Sequence, residues 1–255
     1  MRWVYVSPHL DDAVLSAGGL IHDQAKAGLP VEIWTLMCGF PPEGGLTPFA
    51  QDLHIQWGFA SAEEAVRQRR DEDLRAAGTV GAKAVHFDFL DCIYRRGPDG
   101  EALYPEGVFV PVHAAEVGYP AQITAALTRV LERGDVVVCP LGIGGHVDHV
   151  VTRAVVEGLA LSEVEGLDRP LLYYADIPYL MNHHSQLAAK TAGLRPTVQP
   201  VSEEGLGAWQ EGVAAYASQL STLFEDDAAM RAALRGYWAG VGGIRLWKTA
   251  RASRP

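Results

Sequence analysis

Short, continuously apolar runs alternate along this chain with longer stretches in which apolar residues recur at helical spacing. Residues 3–6, 31–37, 84–89, 136–139 and 171–175 are brief, rich in β-branched and aromatic side chains, and bounded by turn residues. Each reads as a strand buried on both faces. Between them lie stretches long enough for crossover helices. Ser61 and Glu64 form a capping box that opens a helix running toward Gly78. Residues 121–131, stopped by Gly134, and 147–161, stopped before Gly166, carry apolar positions at helical spacing. The alternation predicts an α/β fold, a Rossmann-like, doubly wound and mostly parallel sheet with helices on both faces.

Two stretches, 39–59 and 91–120, are rich in Gly and Pro. They are predicted as long loops of the kind that form lids or binding loops. After Pro196, residues 197–201 predict a short strand, and Ser202 caps a helix reaching about Leu223. With no Ser- or Pro-rich linker, the expectation is one domain over 1–255 whose C-terminal helical region, about 202–255, packs on the rest.

Composition narrows the class. The chain has 255 residues, 48% hydrophobic, enough for a large core, and no tract is biased toward disorder. A net charge of −10 disfavours nucleic acid and anionic membrane surfaces as partners. Cys38, Cys92 and Cys139 are too scattered for a disulfide framework or a thiolate zinc site, and Cys139 reads as a small core residue. Pro8 and His9 interrupt the N-terminus before a signal-peptide core forms, and no apolar run approaches the roughly 18 residues of a membrane span. A soluble, cytoplasmic protein is expected, compatible with a homo-oligomer.

The chemistry sits after two of the predicted strands. The first runs into Pro8-His9-Leu10-Asp11-Asp12, the fourth through Cys139-Pro140 into Gly142-Ile143-Gly144-Gly145 and then His146-Val147-Asp148-His149. Open α/β sheets bind ligands beyond the carboxyl ends of their strands. With strand order 3-2-1-4-5 the first and fourth strands are neighbours, and both clusters face one crevice. His9, Asp12 and His149 would then offer two imidazoles and a carboxylate with a coordination position left open, a hydrolytic zinc arrangement. Such a metal lowers the pKa of a water it binds from 15.7 toward ~7. Asp11 is left over as a general base. His146 is placed to protonate a leaving group or stabilise an oxyanion, with Asp148 orienting it. Asp11 and Asp12 could also serve merely as helix caps, but two such clusters after two buried strands favour the site.

Other residues stay outside it. His183 and His184 read as loop histidines near the substrate mouth, and His22, His54, His86 and His113 lack partners at ligand spacing. Trp209, Tyr216 and Phe224 follow helical spacing and should pack. No Lys follows the run 142–145, and the first turn lacks a G-x-G-x-x-G, so phosphate and dinucleotide binding are disfavoured.

With these motifs the chain resembles the PIG-L/LmbE-like family of zinc-dependent N-deacetylases, in which an apolar strand leads to H-P-D-D-E and a later strand to H-x-D-H. Arg69-Arg70-Asp71-Glu72, Asp176-Ile177-Pro178-Tyr179 and, loosely, Tyr216-Ala217-Ser218-Gln219 extend the likeness. The resemblance implies His9, Asp12 and His149 as ligands of zinc (ferrous iron as the alternative), Asp11 as base, and His146 as acid or oxyanion partner. It also implies sugar contacts from Arg69 and Asp91, against which stand a surface ion pair of Arg69 with Glu72 or Asp73 and a turn-capping role for Asp91. The implied reaction removes an acetyl or short acyl group from an N-acetylglucosamine-type conjugate, a small-molecule partner. Leu10 and Ala13 depart from the family pattern, and so does Gly144, which stands where some relatives place a tyrosine that assists the oxyanion. A metal-dependent phosphoesterase with about two metals 3.5–4 Å apart, and a non-catalytic sugar- or metal-binding protein, are the rival classes.

Overall fold

The computed structural model describes residues 1–42, 45–161 and 171–249. Its strands are β1 (Trp3–Ser7), β2 (Val31–Thr35), β3 (Lys83–His86), β4 (Val136–Pro140), β5 (Leu172–Tyr174), β6 (Leu194–Gln199) and β7 (Ile244–Thr249). They form one sheet of order β3-β2-β1-β4-β5-β7-β6. The first five are parallel, and β7 runs antiparallel to both its neighbours. The predicted strand order therefore holds for β3-β2-β1-β4-β5, and Trp3, Val4 and Tyr5 pair with Val136, Val137 and Val138.

Side chains alternate across β1. Val4 and Val6 enter the core on one face, together with Trp34 and Cys139, and Tyr5 enters the other with Ile33 and Val138. The helices are α1 (Asp12–Lys26), α2 (Pro48–Trp57), α3 (Ala62–Thr79), α4 (Tyr119–Val130), α5 (Val147–Leu161), the one-turn α6 (Tyr179–Asn182) and α7 (Leu187–Lys190), α8 (Glu203–Ala214), α9 (Ala217–Leu223) and α10 (Asp227–Val241). Helices α1 and α8 lie close because Gly18 has no side chain: a Cβ there would meet Trp209 at 2.6 Å. Trp209, fully buried, packs in the core as its spacing predicts.

Several predicted boundaries move, each for a physical reason. Strands β2 and β3 stop before Met37 and Phe89, because Arg70 takes the Cys38 and Phe87 carbonyls that a longer ladder would use. Strand β6 begins before Pro196, which the sheet edge tolerates since proline has no N–H to give a neighbour. The helix predicted from Ser202 to Leu223 is two helices broken at Tyr216, whose buried hydroxyl donates to Asp73 at 2.7 Å. The 39–59 stretch holds a helix, α2, capped by Thr47 and closed by Gly58 in the left-handed region. The C-terminal region is not only helical, because β7 lies inside the sheet between β5 and β6. The predicted stop at Gly166 lies outside the described residues. No described helix is long and apolar enough to cross a membrane.

Candidate active site

A cleft of about 500 Å³ opens beyond the carboxyl ends of β1 and β4. Its floor is the pair of strand-to-helix turns singled out in the sequence. At the first turn the Ser7 hydroxyl accepts the Ala13 N–H at 3.0 Å, so it caps α1. Asp11, at the cap position, makes no side-chain cap bond, and the Asp12 carboxylate accepts the His9 N–H at 2.8 Å. Capping by Ser7 leaves both aspartates turned to the cleft.

Asp12 joins the two motifs. Its Oδ2 lies 3.3 Å from His9 Nδ1 and its Oδ1 3.3 Å from His149 Nε2. The far nitrogen of each imidazole is held by a second carboxylate: His9 Nε2 donates to Asp148 at 3.0 Å, and His149 Nδ1 to Asp176 at 2.7 Å. These bonds fix the tautomers and aim one lone pair of each ring at Asp12, an arrangement usual around a metal. His149 Nε2 is buried and, among the described residues, has no hydrogen-bond partner. The carboxylates favour a cation at this point, and against burial Asp12 and Asp176 push the His149 imidazole up to about 9. The residues present fit a divalent metal: His9, His146 and His149 bring ring nitrogens within 4.8 Å of one another, and Asp12 lies beside two of the three.

His146 lies beside them, its ring centroid 4.7 Å from that of His9 and 5.2 Å from that of His149. Burial, then the neighbouring imidazoles, hold its pKa well below the usual value, so it is neutral. Its Nδ1 accepts the Asp148 N–H at 3.2 Å, which leaves the ring proton on Nε2. Asp148 holds His146 through its backbone N–H, a donor left free in the first turn of α5, and not through its carboxylate. The Asp148 carboxylate instead binds His9, the Cys92 N–H at 2.9 Å and Arg95 at 2.6 Å. Burial alone would raise its pKa, but Arg95 and then His9 hold it well below the usual range.

Arg95 is the residue that sequence reasoning passed over most completely. Buried, it reaches Asp148 and Glu116 together and lies 4.7 Å from the Tyr119 ring centroid and 5.5 Å from that of Tyr104. Nothing periodic marks it.

Asp11 and Arg69 face each other at 3.6 Å on the cleft wall. Burial, then the charge of Asp12, push the Asp11 carboxyl up to about 6, with Arg69 opposing. The alternative of a surface pair for Arg69 with Glu72 or Asp73 does not form: Arg69 is buried over the Trp57 ring, its Nε has no hydrogen-bond partner among the described residues, and Glu72 instead caps α9 through Ser218. Asp91 caps a turn by accepting the Ile93 N–H, and its other oxygen lies 3.9 Å from His9 Nε2 on the cleft wall. His184 lines a separate cavity with Met181 and Tyr237, away from the cleft.

The two stretches predicted as binding loops supply much of the rim, but which of their residues face the cleft was not legible. Phe49, Leu53 and Trp57 come from α2, Phe109 from the 91–120 stretch, and Leu223 from α9. Thr47-Pro48 before that run and Gly58 after it are cap signals that could have revealed α2.

The model of the family described as PIG-L: GlcNAc-PI de-N-acetylase matches residues 4–160. The chain belongs to this family. A 2'-N-acetylparomamine deacetylase of Streptomyces fradiae is 29% identical over 254 residues, 96% of this chain and 81% of that one. The zinc-inhibited form of teicoplanin deacetylase Orf2 superposes with a TM-score of 0.81 at 26% identity, covering all of both chains. The A40926 pseudoaglycone deacetylase Dbv21 gives 0.75 at 29%, covering 100% of this chain and 99% of that one. The reaction of this PIG-L member is hydrolytic removal of an acyl group from an amide nitrogen, not the phosphoester cleavage that an Asp/His cluster also allows.

Proposed function

We propose that the chain, with one zinc ion at His9, Asp12 and His149, removes an acetyl or short acyl group from the nitrogen of an amino sugar carried on a larger conjugate. The observation that carries this is the buried, unpartnered His149 Nε2 beside Asp12, with the outer nitrogens of both imidazoles tied to carboxylates. When bound, such an ion supplies Lewis acidity and lowers the pKa of water toward ~7.

The chain's own groups do the rest. Asp11, free of any capping bond, takes the proton of the attacking water, and a carboxyl raised to about 6 is better matched to that task near neutrality than an ordinary aspartate. His146, neutral with its one ring proton on Nε2, hydrogen-bonds the departing nitrogen through that N–H, and the proton the nitrogen gains is the one Asp11 took from water. Arg69, with unused donors, and Asp91 bind sugar hydroxyls. The Phe49, Leu53 and Trp57 wall shelters the apolar part of the aglycone. The relatives' amino-sugar substrates, an acetylated paromamine and teicoplanin, support this class. Three buried, unbridged cysteines suit a reducing compartment, and we place the protein in the cytoplasm.

The test is a panel of N-acyl amino sugars and their glycosides, assayed for free amine with the zinc-loaded protein. Amine release with one zinc per chain is expected, with ferrous iron separated from zinc by elemental analysis. Zinc-loaded protein that frees no amine from any of them refutes the reading. His149→Ala should abolish tight zinc binding, and unchanged zinc content would remove His149 from the ligand set. Arg69→Ala should lower kcat/KM by about tenfold or more, mainly through KM, as loss of a binding contact does.

A further inference from the structure

Tyr179 opens α6 just past β5, and its ring lies against Gly144, in the loop between β4 and α5. A Cβ at position 144 would stand 3.1 Å from Tyr179 Cγ and 3.2 Å from its Cβ and Cδ1, and Gly144 has φ +87°. Both the conformation and the space therefore require glycine. The ring stands edge-on to His149, centroids 5.5 Å apart at 80°, and to Phe109, 5.8 Å at 76°. Phe109 also packs edge-on to His146 at 5.5 Å, so Tyr179 and His146 flank one aromatic side chain at the cleft mouth.

Tyr179 lines the cleft together with Asp11, Asp12 and His146, and among the described residues its hydroxyl has no hydrogen-bond partner. A phenol is protonated near neutrality, so the Tyr179 hydroxyl is a donor. A neutral donor, fixed by packing on two sides and unused by the protein, faces the catalytic floor.

We propose that the Tyr179 hydroxyl donates a hydrogen bond to the acyl oxygen of the substrate as negative charge develops there. This rests on the deacetylase reading. As water oxygen bonds to the acyl carbon, the carbonyl π pair moves onto the acyl oxygen, where the phenol O–H stabilises it without giving up its proton. On collapse that pair re-forms the carbonyl, the C–N bond breaks, and the nitrogen leaves as an amine, having gained the proton taken from water. The donor missing at position 144 is thus supplied from the segment after β5, and the bare Gly144 lets it in. His146 is then free to serve the nitrogen.

The test compares Tyr179→Phe with wild type on an amide that wild type cleaves. Zinc content and thermal stability should be unchanged and KM nearly so, while kcat falls about 10²–10³-fold, the usual effect of removing one oxyanion donor. Affinity for a tetrahedral phosphonamidate analogue of that amide should fall by a similar factor, with affinity for the free amino sugar unaltered. Gly144→Ala, which displaces the phenol, should lower kcat in the wild-type background and add little in the Tyr179→Phe background. Wild-type kcat and analogue affinity in Tyr179→Phe, or a loss confined to KM, would overturn the assignment. Failure of the deacetylase reading looks different, because wild type itself would be inert on every amide, and the assignment would go with it.

Discussion

Asp11→Asn is expected to fold, to bind zinc as wild type does, and to lose about 10²–10⁴-fold in kcat, the usual contribution of a positioned general base. The separation of effects follows from what Asp11 touches. It does not hold α1, because the Ser7 hydroxyl takes the Ala13 N–H. Its ion pair is with Arg69, at 3.6 Å. Its burial is unfavourable for an ionised carboxylate, more so beside Asp12, so an amide of the same shape should not destabilise the fold. The metal ligands keep their own supports in Asp148 and Asp176. Steady-state kinetics with zinc analysis and thermal melts check it. A variant with wild-type kcat ends the base assignment, and one that has lost its zinc makes Asp11 part of the metal site instead.

A second large effect is expected far from substrate. Arg95→Met should destabilise the protein by about 3–5 kcal/mol, the cost of leaving buried carboxylates without their cation. Two are involved, Asp148 and Glu116, and among the described residues neither has a second guanidinium within reach. Asp148 also holds His9 through Nε2, so its displacement should weaken zinc binding about 10–100-fold, as loss of an outer partner of a metal ligand does. Arg95→Lys should recover part of the stability but less of the zinc affinity, since an ammonium cannot bridge both carboxylates as a fork does. Adding Glu116→Gln to Arg95→Met should return some stability by removing one stranded charge. Denaturant unfolding and chelator competition measure the two effects. Wild-type stability and zinc affinity in Arg95→Met would show that Asp148 needs no such support.

The catalytic floor was legible because its residues travel in two compact motifs, each anchored to a buried strand with a strong local pattern. Once β1 and β4 are neighbours, Asp12 and His149 must meet. The partners of the Asp148 carboxylate were not legible, because sequence adjacency to His146 says nothing of where a carboxylate finds its cation, and Arg95 lies on another segment. Helix α2 was missed because weak apolar spacing between Thr47 and Gly58 was outweighed by the Gly and Pro around it, although its caps were visible. Strand β7 carries an alternating pattern, but only the sheet shows that it enters between β5 and β6.

By itself, then, the chain's pattern determined the parallel sheet, the crevice beyond β1 and β4, and the histidines and aspartates set there. Only the tertiary structure decided which groups surround them: Arg95 beneath Asp148, Ser7 relieving Asp11 of its cap, Tyr179 seated on Gly144, α2 along the rim. Local patterns record period and propensity, which act between near neighbours in the chain. These partnerships are set by charge, volume and distance between segments brought together only by folding, and a single arginine or tyrosine has no period to announce it.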